Sequence, residues 1–218
     1  MIRLFVPLAL CLSCLAQTPA DTERSRKVWN SAFTDETFFF NKDANRFLQQ
    51  VTAGLQPGFA LDVGMGQGRN SFYLAEQGWQ VTGVDIAEEA VTRADQEAAE
   101  RGLKLHTVVE SVDTYDCGVE KWDLVIGLYM HDHLTRNAEK IIASVKPGGL
   151  LLIEGFHWDV SENRMSITTG KRFGYKTNEL AEVFDNLRIL YYEDTIDQAD
   201  FISREDHPIV RFLARKVR

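Results

Sequence analysis

Cysteine is scarce in this sequence of 218 residues, which contains only Cys11, Cys14 and Cys117. The first two lie in an apolar stretch at the N-terminus, and Cys117 lies alone in the remainder of the chain. If the N-terminal stretch is removed as a leader, no internal disulfide can form. Cysteine usage therefore indicates no particular redox compartment.

Positively charged residues are fewer than negatively charged ones. Lysine and arginine number 24 against 32 aspartates and glutamates, which gives a formal net charge of −8. This balance argues against a generic nucleic-acid binder, whose footprint is a basic surface, although it is compatible with a local basic patch. Hydrophobic residues make up 44% and charged residues 26% of the chain, as in a folded globular domain with a sizeable core.

The apolar run Leu4–Ala16 is too short to span a bilayer comfortably. It follows an early cation and precedes small and polar residues, and this arrangement predicts a secretory signal peptide over residues 1–20. Cleavage after Ala16 or Ala20 would give an exported or periplasmic protein. The alternatives are lipid attachment at Cys14 and the N-terminal helix of a cytoplasmic protein.

The remainder of the chain divides into two predicted parts. Residues 21–57 form an N-terminal helical cap, in which the spacing of apolar residues predicts a helix over 42–55. Residues 58–218 form one α/β domain, in which short apolar strands alternate with helices and imply a parallel sheet covered on both faces. The predicted strands are 60–65, 80–86, 104–109, 122–130, 149–156, 187–196 and 207–217; the predicted helices are 70–78, 88–102, 136–149 and 177–184.

The stretch "LDVGMGQGRN", residues 61–70, places glycines at alternate positions. A dinucleotide site needs G-x-G-x-x-G, whose third glycine would stand where this chain has Arg69, so a nicotinamide dehydrogenase is disfavoured. The observed G-x-G-x-G suits a ligand whose amino-acid end and ribose lie against the loop. Asp85, at the end of the next strand, can accept both ribose hydroxyls, and Ile86 offers an apolar face to a base. The structural alternative is that the glycines serve tight packing and Asp85 caps the following helix.

Four ordered motifs resemble those of the class I S-adenosylmethionine-dependent methyltransferases: "LDVGMGQG", "GVDI", "WDLVIGLYMH" and "VKPGGLLLIE". The resemblance covers roughly residues 58–155, and "GQGRNSFYLAEQGWQVTGVD" is most similar to the small tellurite-resistance and thiopurine-type branch. It implies a Rossmann-like, doubly wound, seven-stranded mixed sheet in three α/β/α layers, with the last strand antiparallel. It also implies S-adenosylmethionine as the cofactor.

The resemblance assigns cofactor contacts to individual residues. Asp62 and the backbone of Gly64 would hold the methionine amino group, while Gly66 and Gly68 would let the ligand approach. Asp85 would bind the ribose. Three further positions carry apolar contacts to the adenine or the methionine arm: Ile86, Gly127 and Leu128.

The adenine amino group is the contact on which this chain departs from the family. The family often places an acid after the third strand, and here that position falls at Ser111 and Val112. Val112 has no polar side chain, so Ser111, or Asp113 after a small shift, would replace the acid.

Candidate catalytic residues follow the fourth and fifth strands, where open α/β sheets bind ligands. Tyr129, His131 and His157 are the predicted catalytic residues, with one of the histidines as general base. The alternative is that these are loop histidines with ordinary hydrogen bonds. Three further titratable residues lie nearby: Asp132, His133 and Glu154. The histidines and Asp132 are metal-ligand types, but their spacing matches no metal motif, and no metal is predicted.

Two other groups of residues could act on the acceptor. Arg69 could orient an anionic acceptor or pair with an acid. Aromatic residues could close over the acceptor from two sides: Trp158, Phe173 and Tyr175 from one, and Trp29, Phe33 and the run 37–40 from the other. Aromatic residues in loops more often pack than bind.

The sequence thus predicts a methyltransferase that acts on a small molecule bearing a thiol, chalcogen oxyanion or hydroxyl. No segment resembles a nucleic-acid-reading module, and no stable membrane span is expected. The alternative is a non-catalytic protein of the same fold that binds S-adenosylmethionine or another nucleoside.

Overall fold

The computed structural model describes residues 18–162, 166, 170–201 and 205–217. The predicted signal peptide lies outside these residues as far as position 17, together with Cys11 and Cys14. The first described helix, α1, spans Pro19–Thr34, so the predicted end of the leader at position 20 falls inside a helix. None of the helices in the described part of the chain is long and apolar enough to cross a membrane.

Helix α1 includes residues 21–33, for which the sequence pattern predicts no helix. The helix begins with a capping box: the hydroxyl of Thr18 accepts the N–H of Asp21 at 3.2 Å, and the Asp21 carboxylate accepts the N–H of Thr18 at 3.3 Å. Pro19 occupies the first helical position, where its missing N–H costs nothing. Most residues of α1 are polar, but the helix also has buried residues, which include Phe33.

Seven strands form one sheet in the order β3-β2-β1-β4-β5-β7-β6. All neighbours pair in parallel except β7, which is antiparallel to both β5 and β6. The predicted fold class is therefore confirmed, including the antiparallel last strand. The strands are β1 Phe59–Val63, β2 Gln80–Asp85, β3 Leu105–Val109, β4 Trp122–Leu128, β5 Val145–Phe156, β6 Arg188–Gln198 and β7 Asp206–Arg215.

Helices flank the sheet, and each of the five predicted helices is shorter in the structure, two of them much shorter. The predicted helix 42–55 forms only over Arg46–Thr52, because Asn45 caps it by accepting the N–H of Leu48. The predicted helix 136–149 ends at Ser144, and Val145 already begins β5. The helices after α1 are α2 Arg46–Thr52, α3 Arg69–Glu76, α4 Glu88–Glu100, α5 Asp132–Thr135, α6 Ala138–Ser144 and α7 Glu179–Val183; a short 3₁₀ helix spans Trp158–Glu162.

The core lies on both faces of the central strands, as expected of a mostly parallel sheet. On one face Val125 belongs to a buried cluster with Ile141 of α6. On the other face Leu124 and Ile126 belong to a cluster with Leu74 of α3. Burial of each such side chain stabilises the fold by about 1.5–3 kcal/mol.

The strand order reverses at β1, which lies between β2 and β4. The chain runs from β1 to β2 and β3 in one direction along the sheet and then returns to place β4 on the other side of β1. In open α/β sheets, the carboxyl ends of the strands border a crevice at such a reversal, and ligands bind there. The fold therefore brings the loops after β1, β2 and β4 around one site.

Candidate active site

The loop between β1 and α3, residues 64–68, is called the glycine loop below. Its three glycines have left-handed backbone conformations, with φ of 74° at Gly64, 54° at Gly66 and 87° at Gly68. A Cβ atom at Gly64 would collide with the side chain of Met130, and one at Gly68 would lie 2.8 Å from Cζ of Phe72. The loop therefore requires glycine for its backbone conformation and for close packing.

A cavity of about 1000 Å³ borders the glycine loop at the carboxyl edge of the sheet. This volume is at the upper end of the roughly 300–1,000 Å³ usual for ligand sites, so a cofactor and an acceptor fit together. Seven of the ten predicted cofactor residues line it: Gly64, Gly66, Asp85, Ile86, Ser111, Val112 and Leu128. The other three stand back from it: Asp62, Gly68 and Gly127. Gly127 packs so closely on Leu134 that a Cβ there would collide with it.

Asp85 lies at the end of β2, and its carboxylate binds backbone N–H groups of the glycine loop and of the residue that precedes α4. Its Oδ2 accepts the N–H of Gly66 at 2.8 Å, and its Oδ1 accepts the N–H of Ala87 at 2.8 Å. The second bond caps α4, in agreement with the structural alternative. Because a carboxylate offers about four acceptor positions, capacity remains for the hydroxyls of a ribose. Burial raises the pKa of Asp85.

Asp62 lies beneath the glycine loop, with 1% of its surface exposed. Its carboxylate accepts a hydrogen bond from the Ser71 hydroxyl at 2.7 Å. Burial raises the pKa of Asp62 to about 6, and the negative charge of Asp85 adds to this effect. Among the described residues no cation forms an ion pair with either carboxylate. These two carboxylates are thus available to a cationic group of a ligand.

The segment after β3 brings Ser111 and Val112 to the cavity, as predicted. Asp113, the alternative adenine contact, is already engaged: Arg136 donates to its two oxygens at 2.8 and 2.9 Å. Burial opposes ionisation of Asp113, but hydrogen bonds from Arg136 and Asn137 outweigh it and lower its pKa to about 2. Glu110 also lines the cavity and is an acid in the region where the family often has one. Sequence reasoning missed it because the count from β4 placed the contact one residue later.

Aromatic rings line a large part of the cavity and are called here the aromatic wall. The rings come from five parts of the chain that are distant in sequence. The wall consists of Trp29, Phe33, Phe38, Phe40, Tyr129, His131, Phe156, Phe173 and Phe201. The rings contact one another, as in the stacked pairs Tyr129–Phe201, with centroids 5.1 Å apart, and Phe33–Phe40, at 4.7 Å. The predicted lid residues Trp158 and Tyr175 are not part of this wall.

Tyr129, a predicted catalytic residue, contributes its ring to the cavity and directs its hydroxyl into the protein. The hydroxyl donates to Oε1 of Glu154 at 3.0 Å and accepts the N–H of Asp200 at 3.2 Å. Burial and the negative charges of Glu154 and Asp200 raise the pKa of Tyr129 well above its ordinary value. A neutral hydroxyl that already forms two hydrogen bonds is poorly suited to take a proton from a substrate.

His131, the second predicted catalytic residue, lines the cavity. Its Nε2 accepts the backbone N–H of Phe156 at 3.1 Å, and its ring stacks on Phe156 with centroids 5.9 Å apart. Burial lowers the pKa of His131 to about 4. The imidazole is therefore neutral at physiological pH, and its Nε2 is occupied.

His157, the third, lies away from the cavity and has 6% of its surface exposed. Its Nε2 lies 3.1 Å from the Thr177 hydroxyl and 3.6 Å from a carboxylate oxygen of Asp194. Its Nδ1 accepts the N–H of Asp159 at 3.3 Å. The structure thus surrounds His157 with local partners, as the alternative of an ordinary hydrogen-bonded histidine describes.

A buried polar network lies behind the aromatic wall. Asn45 donates to Oε1 of Glu154 at 2.6 Å and to Asp200, and Arg69 pairs with Asp200 at 3.0 Å. Arg211 pairs with Oε2 of Glu154 at 2.7 Å. Arg69 therefore pairs with an acid, one of its two predicted roles. The network ties the N-terminal cap to β5 and β7.

Asp132 and His133 both engage the guanidinium of Arg136. Asp132 lies 2.6 Å from it, and Nδ1 of His133 is in direct contact with it. Burial and the neighbouring Arg136 lower the pKa of His133. Within the described residues, no three histidine, cysteine, aspartate or glutamate side chains are arranged to hold a metal ion.

Part of the chain is similar in sequence to known methyltransferases. Residues 60–149 match the model of a methyltransferase domain. A ubiquinone biosynthesis O-methyltransferase from Haemophilus ducreyi is 35% identical over 115 residues, which cover 49% of this chain and 49% of that protein. The chain thus spans about half the length of the curated relatives that it matches.

Solved structures share the fold over most of the chain. TehB from Haemophilus influenzae superposes with a TM-score of 0.66 at 21% identity, covering 79% of this chain and 62% of that one. A 1,6-didemethyltoxoflavin-N1-methyltransferase from Burkholderia thailandensis, solved with 1,6-didemethyltoxoflavin and S-adenosylhomocysteine, gives 0.65 at 22% identity. It covers 91% of this chain and 89% of that one. At these identities the likeness shows the fold.

Proposed function

We propose that this protein is a class I S-adenosylmethionine-dependent methyltransferase that methylates a small-molecule acceptor. The match of residues 60–149 to a methyltransferase-domain model supports this proposal. One observation carries the proposal. A continuous cavity joins the glycine loop and Asp85 to the aromatic wall. Such a cavity can hold a methyl donor and an acceptor side by side, which is the main requirement of a direct transfer.

The residues at the glycine loop fit S-adenosylmethionine. Asp62 and Asp85 are enclosed carboxylates without a cationic partner among the described residues, and the cofactor carries both an ammonium and a sulfonium charge. Asp85 has capacity for ribose hydroxyls. Ile86 and Val112 offer apolar surface to the adenine, and Glu110 is placed to accept from a polar edge of the ligand.

When bound, the cofactor would supply a methyl group on a sulfonium sulfur; transfer of this methyl to a lone pair of the acceptor would leave the bond electrons on sulfur as a neutral thioether. The protein's own part is to align the acceptor and to exclude water. The aromatic wall supplies both, because flat rings order a small acceptor and leave few polar atoms for water to bind.

The surroundings of Tyr129, His131 and His157 favour an acceptor that needs no general base. The hydroxyl of Tyr129 is doubly hydrogen-bonded, Nε2 of His131 is occupied, and His157 lies outside the cavity. Thiols and chalcogen oxyanions ionise near neutral pH without such help, whereas most hydroxyls do not. We therefore place thiols and chalcogen oxyanions ahead of hydroxyls as acceptors, and the proton of a thiol acceptor passes to solvent.

Calorimetric titration with S-adenosylmethionine tests the cofactor site, and formation of S-adenosylhomocysteine with added benzenethiol, selenite, tellurite or catechol tests the reaction. We expect micromolar binding, its loss in Asp85→Ala, and turnover with benzenethiol or an oxyanion. Glu88→Ala, which removes an exposed acid on α4, is the matched control and should bind normally. Cofactor binding without turnover of any acceptor would favour the non-catalytic binding protein, and a folded protein without binding would refute the proposal.

A further inference from the structure

The orientation of the His131 ring is fixed by contacts on several sides. Nε2 accepts the backbone N–H of Phe156 at 3.1 Å, so this nitrogen carries no proton. The ring also contacts Phe173 and Tyr175, with centroid distances of 5.5 and 5.4 Å. Rotation of the ring by half a turn would exchange Nε2 with the ring carbon Cε1 and break the hydrogen bond with Phe156. The neutral tautomer must therefore carry its proton on Nδ1.

The Nδ1 atom is the ring nitrogen that the contact with Phe156 leaves available. It forms no hydrogen bond with any described residue. Among the described side chains, the Tyr175 hydroxyl is the only polar group that is fully buried without a hydrogen-bond partner. Nδ1 of His131 is therefore not fully buried. Since His131 lines the cavity, its exposed nitrogen is open to whatever the cavity contains. A donor in an aromatic enclosure gains more from a ligand than one in water.

The backbone of His131 is strained, with φ of 43° and ψ of −121°. Residues other than glycine rarely adopt a positive φ, and outliers of this kind concentrate at ligand sites. Tyr129, two residues earlier, also has a positive φ, of 61°. Both residues follow the end of β4, and both of their aromatic side chains line the cavity.

We propose that His131 is a hydrogen-bond donor to the methyl acceptor, through Nδ1–H, and that the acceptor carries a lone-pair atom beside its reacting group. This inference rests on the proposed methyl transfer. It selects planar acceptors in which a carbonyl, carboxylate or ring nitrogen neighbours the nucleophile. The Nδ1–H group of His131 orients the methyl acceptor and takes no proton from it.

The surroundings keep the donor neutral across the physiological range. Asp132 and His133 lie on the same segment, Tyr129 precedes it, and Tyr175 packs on the ring from another element. Burial outweighs the favourable charge of Asp132 and lowers the pKa of His131 to about 4. Above pH 5 the side chain therefore presents an N–H group without a charge.

Nitrogen-15 NMR of the full chain labelled at histidine tests the tautomer without any turnover. His131→Asn assigns the signal by its loss, and His106→Asn, at an exposed site on β3, is the matched control. We expect a neutral ring protonated at Nδ1 from pH 5 to pH 8. A ring that titrates between pH 6 and 7, or one protonated at Nε2, would overturn the inference.

Ligand binding tests the contact itself. The protein saturated with S-adenosylhomocysteine is titrated with 2-mercaptobenzamide, which has a carbonyl beside the thiol, and with benzenethiol, which lacks it. We expect the Nδ1–H signal to shift with the first thiol and to stay within error with the second. Equal shifts with both thiols, or a shift with neither, would contradict the donor role.

Kinetics separate a donor from a general base. Asparagine places an N–H near the position of Nδ1 and tolerates a positive φ, so His131→Asn should retain most of the activity. His131→Phe should raise the KM for 2-mercaptobenzamide about tenfold, as expected for one lost hydrogen bond, with little change in kcat. Equal loss of kcat in both variants would overturn the inference, while failure of the wild type to bind the cofactor would instead refute the proposed function.

Discussion

The two halves of the cavity are built in different ways. The cofactor half consists of strand ends and the glycine loop, and its contacts are backbone groups and carboxylates such as Asp62 and Asp85. The proposed acceptor half consists of the side chains of the aromatic wall, from segments as distant as Trp29 and Phe201, and one of these rings, Phe33, lies next to Gly66 of the glycine loop. One half is specified by local spacing, and the other exists only after the chain has folded. The difference shows how a shared fold can keep one ligand and change the other.

The largest expected effect comes from the backbone of the cofactor half. Gly64→Ala should weaken S-adenosylmethionine binding more than about 100-fold, because Gly64 combines a φ of 74° with direct contact to Met130. Gly54→Ala is the matched control, since Gly54 has a φ of 80° but no atom within 4 Å of the position that a Cβ would take. Calorimetry measures binding, and thermal unfolding shows that each variant is folded.

Equal loss of affinity in Gly64→Ala and Gly54→Ala would mean that backbone strain alone is responsible. It would then remove the special role of close packing at the glycine loop. Retained affinity in Gly64→Ala would overturn the placement of the cofactor there.

A substitution in the aromatic wall should weaken binding of the methyl acceptor and leave binding of the cofactor nearly unchanged. Phe201→Ala removes a ring stacked on Tyr129 and should raise the KM for the thiol acceptor about tenfold, while the cofactor Kd stays within about twofold. Phe39→Ala, in the neighbouring aromatic run but 60% exposed and outside the wall, is the control. A matching rise in the cofactor Kd of Phe201→Ala would show that the two halves are not separable.

Cofactor affinity should depend on pH through Asp62. Its pKa of about 6 in the folded protein exceeds the ordinary 3.8, so the unliganded fold loses stability as pH rises from 4 to 6 and Asp62 ionises. A cationic ligand prefers the ionised carboxylate, so affinity should rise about tenfold from pH 5 to pH 7 and then level off. Asp62→Asn should flatten this profile in calorimetric titrations at constant ionic strength. A wild-type affinity that is independent of pH would contradict the role of Asp62.

The smallest expected effect compares two buried tyrosines. The Tyr175 hydroxyl has no hydrogen-bond partner among the described residues, so Tyr175→Phe should leave the free energy of unfolding unchanged or raise it by up to about 1 kcal/mol. Tyr129→Phe removes bonds to Glu154 and Asp200 and should cost about 1–3 kcal/mol. Urea denaturation measures both, and a larger loss in Tyr175→Phe than in Tyr129→Phe would reverse the interpretation.

Much of the fold and of the cofactor half could be predicted because their signals are local. The glycine spacing, Asp85 at a strand end and the alternation of strands and helices each occupy a short window of sequence. Helix ends could be predicted less accurately. The proline and glycines of "VKPGG" suggest the end of a helix, but Val145 pairs with β4 and begins a strand. Tertiary pairing decides such cases, and no local pattern reports it.

The acceptor half could be predicted only as a set of residue types. The sequence placed aromatic residues and histidines near the site, but it did not show that His157 turns away or that Nε2 of His131 is occupied. Those outcomes depend on side-chain direction, which is set by partners such as Phe156 and Thr177. The polar surface of α1 likewise hid the stripe that carries Trp29 and Phe33 to the cavity.

The placement of β7 has a consequence for how the molecule is made. Strand β7 follows the other six in sequence, yet it enters the sheet between β5 and β6. Until it does so, β6 has no neighbour in the described sheet, and β5 ends in an open edge. The nascent chain therefore presents two strand edges, with Ile189 and Ile196 exposed even in the finished fold. A chain interrupted before Asp206 would keep both edges unpaired, and unpaired strand edges promote aggregation.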